Sequence, residues 1–127
     1  MLLTIGADGW PHAAFTWIGA PDPTRVRVIA DEGSTTLDNL RAHASAAAQV
    51  IGPDDLLYLI KGTARVQPES QGTMPAGLKV VRAELAVADI RDQHWGAVAV
   101  TPLGYRWKDA HMVEVEQAVL SILTAPG

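Results

Sequence analysis

Period-two alternation interrupted by turn residues constrains the fold of this chain more than any other feature of its sequence. Leu2-Leu3-Thr4-Ile5 runs into Gly6-Ala7-Asp8-Gly9, and an Asp-Gly pair favours the positive φ that a tight hairpin turn requires. Trp10 to Ile18 reads as the return strand, ended by Gly19-Ala20-Pro21-Asp22-Pro23. Arg25 to Ala30 then alternates cleanly, with Val26, Val28 and Ala30 on one face. Short alternating runs separated by turns predict an antiparallel meander.

The pattern changes after Asp31-Glu32-Gly33. Leu37, Leu40 and Ala44 recur at helical spacing, and Ser34 stands where an N-cap is wanted, so a short helix is expected over Thr35 to His43. A small-residue strand, Ala46 to Ile51, and a long strand, Leu56 to Val66, follow on either side of Gly52-Pro53-Asp54-Asp55. In the long strand Leu56, Tyr58, Ile60, Ala64 and Val66 share one face, and Lys61, Thr63 and Arg65 the other. Residues 67–77 read as a mobile crossover loop. Leu78 to Ile90 fits both periods and is taken as a strand, and Ala97 to Trp107 alternates again, with Pro102 marking an edge or a bulge. Met112, Val115, Val119 and Ile122 form an apolar stripe after Asp109, a possible N-cap, which predicts a closing amphipathic helix.

The elements sum to a mainly β chain, a small antiparallel barrel or sandwich with one inserted and one C-terminal helix. At 127 residues it is expected to be a single domain spanning 1–127, since domains run to about 150 residues. A formal charge of −4 argues against a general nucleic-acid binder, which needs a basic surplus to neutralise phosphates. The absence of cysteine excludes disulfides, thiol nucleophiles and Cys-ligated metals. No segment reaches the ~20 apolar residues of a membrane helix, and no signal-peptide pattern opens the chain. A soluble cytoplasmic protein without membrane or nucleic-acid partners is expected.

Ser34, Thr35 and Thr36 are the clearest local candidates for chemistry. Hydroxyls, unpaired backbone N–H groups and the positive end of a helix dipole converge there, a combination that suits phosphate, although Ser34 caps the helix whether or not anything binds. His12, His43, His94 and His111 are scattered and read as surface residues, so no metal site is expected. No serine lies in a G-x-S-x-G setting and no carboxylate pair stands out, which leaves the catalytic side chain unassigned. Trp10, Trp17, Trp95 and Trp107 are core or interface anchors, or rings able to stack on a planar heterocycle.

Taken in order, Leu3-Thr4-Ile5-Gly6-Ala7-Asp8-Gly9-Trp10-Pro11-His12, Phe15-Thr16-Trp17, Ser34-x-Thr36-x-x-Asn39-Leu40 and Lys61-Gly62-Thr63-Ala64 resemble the pyridoxamine 5′-phosphate oxidase-like family of flavin-binding split barrels. The match runs from residue 2 to about 66, and beyond that it rests on Tyr105-Arg106-Trp107. The resemblance implies a six-stranded antiparallel split β-barrel and a homodimer with flavin mononucleotide (FMN) in each groove between subunits. Ser34, Thr36 and Asn39 map onto the phosphate segment, Thr35 lies within it, and Thr16 and Trp17 belong to the strand lying along the flavin ring. Lys61 and Trp107 complete the expected cofactor-binding set.

Two departures qualify the transfer. Thr36 stands where the family commonly has Lys, and His12 to Gly19 lacks the arginine and lysine that the oxidase carries on its second strand. A flavin phosphate carries roughly −1.5 to −2 charges, so Lys61, Arg27 or Arg41 would have to replace the cation. The expectation is therefore an oxidoreductase of a small substrate rather than the oxidase itself. Deazaflavin, haem or a cofactor-free dimer that binds a small ligand or a partner protein are the alternatives.

Overall fold

The computed structural model describes residues 1–68 and 74–126. Residues 69–73 of the expected crossover loop lie outside the described residues. Seven strands form one antiparallel sheet: β1 (Leu2–Ile5), β2 (Pro11–Ala14), β3 (Ile18–Asp22), β4 (Arg25–Asp31), β5 (Ser45–Ile51), β6 (Leu57–Val66) and β7 (Val80–Asp92). Helix α1 (Thr35–Ala42) is inserted between β4 and β5, and α2 (Met112–Thr124) follows β7. The strand order is β2-β1-β5-β6-β7-β4-β3, so consecutive strands β2 and β3 occupy opposite edges. Four peptide steps from Ala14 to Ile18 reach at most about 14 Å, so the sheet must curl until its edges approach. The result is a barrel split between β2 and β3 and bridged there by Phe15-Thr16-Trp17.

This topology corrects the single strand expected over Trp10 to Ile18 and raises the strand count from six to seven. Trp10 belongs to the β1–β2 turn, in which Gly9 adopts φ 81° and Gly6 accepts from the Gly9 N–H at 2.9 Å. The chain leaves one edge at Ala14 and joins the other at Ile18, where the segment expected to end a strand instead forms β3. Pro21 is tolerated in β3 because an edge strand has no partner for the missing N–H on its outer side.

Alternation in β4 splits the packing. Val26 and Val28 face the barrel interior with Leu2, Leu40, Ala48, Ala83 and Leu85, all buried. Arg27 and Ile29 point the other way and are also buried, because α2 covers that face: its Val115, Val119 and Leu123 pack on Ile29, Met74 and Val80. Leu37 of α1 is fully buried against Ala30 and Val81. Gly19 lets the β3 backbone meet α2, since a Cβ there would sit 2.9 Å from the Leu123 Cβ.

Arg27 fastens the helix end. Its Nε donates to Glu84 at 2.8 Å and its Nη1 to the carbonyls of Leu123, at 3.4 Å, and Ala125. A cation at these carbonyls also complements the negative end of the helix dipole. The hydrogen bond from Arg27 holds the Glu84 carboxyl below its ordinary range against the opposing effect of burial, and the charges of Arg27, Arg25 and Arg82 add to the lowering.

Two further expectations are corrected. Ala97 to Trp107 is irregular: β7 already has β6 and β4 on its two sides, and Pro102 and Gly104 interrupt the run. The segment pairs with neither open edge, β2 or β3, and alternation without a partner strand does not make a strand. At α2 the N-cap is His111 without a side-chain cap bond, while the Asp109 carboxylate accepts the His111 N–H at 3.0 Å. Among the described residues no helix is long and apolar enough to cross a membrane.

Candidate functional site

Ser34 behaves as the sequence predicts. With φ −79° and ψ 153° it lies outside the helix, and its hydroxyl accepts the Leu37 N–H at 3.2 Å. The Asp38 N–H reaches the Ser34 carbonyl at 3.1 Å as the first helical bond. The first N–H groups of a helix have no intrahelical acceptor, and those of Thr35 and Thr36 stand at this end. Leu37 anchors this end from below, which fixes where the N–H groups point.

The bridge across the barrel split passes this helix end. Thr16 donates its hydroxyl to the Ile29 carbonyl at 3.0 Å, tying the bridge to β4. Between bridge and helix lies a cleft of about 160 Å³ lined by Thr16, Trp17, Asp31, Ser34 and Thr36 among others. Four of the residues singled out in the sequence thus meet in one place. Thr35 and Asn39 line the adjoining cleft of about 410 Å³ with Trp10, His12 and Asp38. The Asn39 side chain is buried and donates to the Thr4 hydroxyl at 3.1 Å.

His12 separates the two clefts and is half-buried rather than the surface residue expected. Its Nε2 lies 3.3 Å from the Thr36 hydroxyl. A pairing between residues 24 apart leaves no local signal in the sequence, and only the β1–β2 register, which sets His12 opposite Thr4, brings it to α1.

Trp107 reaches the site through the irregular segment. It stacks on Trp17 at 5.6 Å between ring centroids, and Tyr105 meets Phe15, Trp17 and Trp107 edge-on. Trp17 Nε1 donates to the Tyr105 hydroxyl at 2.9 Å, and Trp107 Nε1 to Glu116 at 3.1 Å. Edge-to-face packing with these bonds satisfies the polar tips of an otherwise apolar cluster.

Lys61 lies apart from this assembly. It projects from β6 into a groove of about 440 Å³ on the outer face of the sheet, with Leu3, Ile5, Pro11 and Ala47. Arg27 is committed beneath α2, and Arg41 stands in the last turn of α1, away from the Ser34 end. Within this one chain, none of the three lines the cleft in which Ser34 and Thr36 sit, whereas Asp31 does. Among the described residues no cluster of three metal-ligating side chains occurs.

A curled antiparallel sheet, a three-residue bridge over its split and a helix N-terminus beside that bridge define a split barrel. Solved structures bear this out. An F420 reductase aligns with 72% of this chain and 87% of its own at 17% identity and a TM-score of 0.61. HupZ from Group A Streptococcus aligns over 82% and 88% at 19% identity and a TM-score of 0.61. A putative pyridoxamine 5′-phosphate oxidase from Listeria innocua aligns over 72% and 85% at 16% identity and a TM-score of 0.56. Neither a family model nor a curated protein matches the sequence. At these identities the likeness shows the fold, which is the split-barrel fold the resemblance implied.

Proposed function

We propose that this chain is a flavin-binding split-barrel oxidoreductase that works as a homodimer on a small substrate, with FMN as the cofactor and deazaflavin F420 as the alternative. The observation that carries the reading is the cleft where Thr16, Trp17, Ser34 and Thr36 converge, the residues the family resemblance assigns to ring and phosphate. The donor set fits a flavin's polar tail. The first-turn N–H groups of Thr35 and Thr36 and the dipole of α1 suit an anionic group, and the Thr16 and Ser34 hydroxyls suit a ribityl chain. At about 160 Å³ the cleft takes only that tail, so the ring lies outside it, toward the exposed Phe15 and the half-buried Trp17. A bound flavin supplies hydride or electron transfer, while the protein binds and orients it.

The second reading, a dimer without a redox cofactor, is favoured by the absence of a cation among the described residues lining the cleft and by Asp31 on its wall. The two are separated by colour and titration. A yellow protein releasing flavin fluorescence on denaturation, or one that takes up added FMN or F420, supports the first reading. A colourless protein that takes up neither supports the second. In a protein that does bind flavin, replacing Ser34 and Thr36 together by Ala is expected to weaken FMN by about 1–3 kcal/mol, the range for hydrogen bonds to a charged partner, and riboflavin by much less. Unchanged FMN affinity in the folded double variant would remove these residues from the site. A monomer by light scattering at micromolar concentration would contradict the dimer.

A further inference from the structure

We propose that residues 93–108 form a strap that opens and closes an apolar cavity at the mouth of the barrel, and that this cavity takes a compact, uncharged aromatic or branched aliphatic molecule. The cavity, of about 420 Å³, lies on the other side of the Phe15–Trp17 bridge from the cleft at Ser34 and is distinct from it. Ile18, Val26, Ile51 and Ile60 form its floor and walls, and Leu103 and Tyr105 of the strap cover it. Among the described residues its lining is mostly apolar carbon, and the polar groups on it are the Met1 ammonium, the Thr16 and Tyr105 hydroxyls, the Gln49 amide and the Trp17 indole N–H. Each already has a partner: Met1 on the Gln49 carbonyl, Thr16 on the Ile29 carbonyl, Gln49 on the Tyr58 carbonyl and Trp17 on the Tyr105 hydroxyl. A cation entering this space would lose its hydration and face the Met1 ammonium; an uncharged apolar body of matching size would not.

The strap has the properties of a moving part. It has no regular secondary structure, and connections of about 15 residues without structure of their own are uncommon outside lids and binding loops. Trp95, Val98, Leu103 and Tyr105 are all more than 40% exposed, with Trp95 at 68%. Its ends are tied down: the Gln93 N–H donates to the Leu57 carbonyl at 2.9 Å, and Trp107 to Glu116 at 3.1 Å. Val100 donates to Asp55 at 2.6 Å outside the cavity. Over the cavity itself the bond from Trp17 Nε1 to the Tyr105 hydroxyl, 2.9 Å long, is the latch.

Trypsin reads the opening, because Arg106 and Lys108 lie within the strap. The neutral dye prodan serves as the probe ligand. Prodan is expected to bind once per chain with blue-shifted emission excited through Trp17, and to slow cleavage at Arg106 and Lys108. Tyr105→Phe, which removes the latch acceptor, should speed cleavage about fivefold, the factor one neutral hydrogen bond represents. Ala20→Trp, at the exposed rim, should abolish prodan binding while cleavage stays near the wild-type rate, which separates filling of the cavity from unfolding. Wild-type cleavage rates in Tyr105→Phe, prodan binding unaffected by Ala20→Trp, or one dye per two chains would each overturn the proposal. None of these readouts involves flavin, so the strap and the flavin reading fail independently.

Discussion

Replacing Arg27 by methionine is expected to destabilise the protein by about 3–5 kcal/mol, the cost of breaking a buried ion pair from one side. The Arg27 side chain is fully buried, and Glu84 opposite it is 17% exposed. Methionine fills much of the volume but leaves the Leu123 and Ala125 carbonyls without their donor, and Glu84 keeps Arg25, at 3.3 Å, and the charge of Arg82. Thermal and urea unfolding should both register the loss. The same pair predicts an acid limb. Because the folded-state pKa of Glu84 lies below its unfolded value, the pair's contribution is complete above the unfolded carboxylate range, near pH 4.5. It is lost as pH falls from there through the lower folded value. Urea midpoints measured at pH 7, 5, 4 and 3 should therefore fall at the acid end in the wild type, and less steeply in Arg27→Met. Equal slopes would show that the pair contributes nothing to acid stability.

Leu37→Ala is expected to cost about 2–5 kcal/mol, the range for emptying a fully buried leucine site. Leu37 is 0% exposed and packs between Ala30 of β4 and Val81 of β7, both too small to swell into the space. The loss should reach the candidate site as well as the stability. Leu37 seats the first turn of α1, so the Thr35 and Thr36 N–H groups lose their fixed aim. If the flavin reading holds, FMN affinity should fall in this variant although Leu37 lines neither cleft. Leu37→Met, which restores most of the volume, should recover both. A Leu37→Ala protein as stable as wild type would mean that α1 is held by its cap alone.

Where local chemistry decides, the sequence was readable. The Asp8-Gly9 turn, the Ser34 cap, α1, and the strands β4 to β6 follow from alternation and capping within a few residues. Leu78 to Ile90 resolved to a strand because two neighbours, β4 and β6, were available to pair with it. What could not be read depends on distant partners. The break at Phe15-Thr16-Trp17 arises because the chain must cross the split, and nothing in the apolar run announces it. Ala97 to Trp107 alternates like a strand but pairs with neither sheet edge. In the site, Ser34 and Thr36 were visible from the helix start and Thr16 and Trp17 from the family's order of motifs. The approach of His12 to Thr36, the commitment of Arg27 to α2 and the separation of Lys61 are consequences of register and strand order alone.

The placement of β2 and β3 on opposite edges also fixes the order in which the barrel can be completed. The first two hairpins, β1–β2 and β3–β4, are neighbours in sequence yet share no ladder, and each must wait for the β5–β6–β7 layer to stand between them. No N-terminal fragment that stops before β7 can join its own halves. The barrel is therefore a high-contact-order structure despite its short turns, closing late, when the whole of β7 has formed.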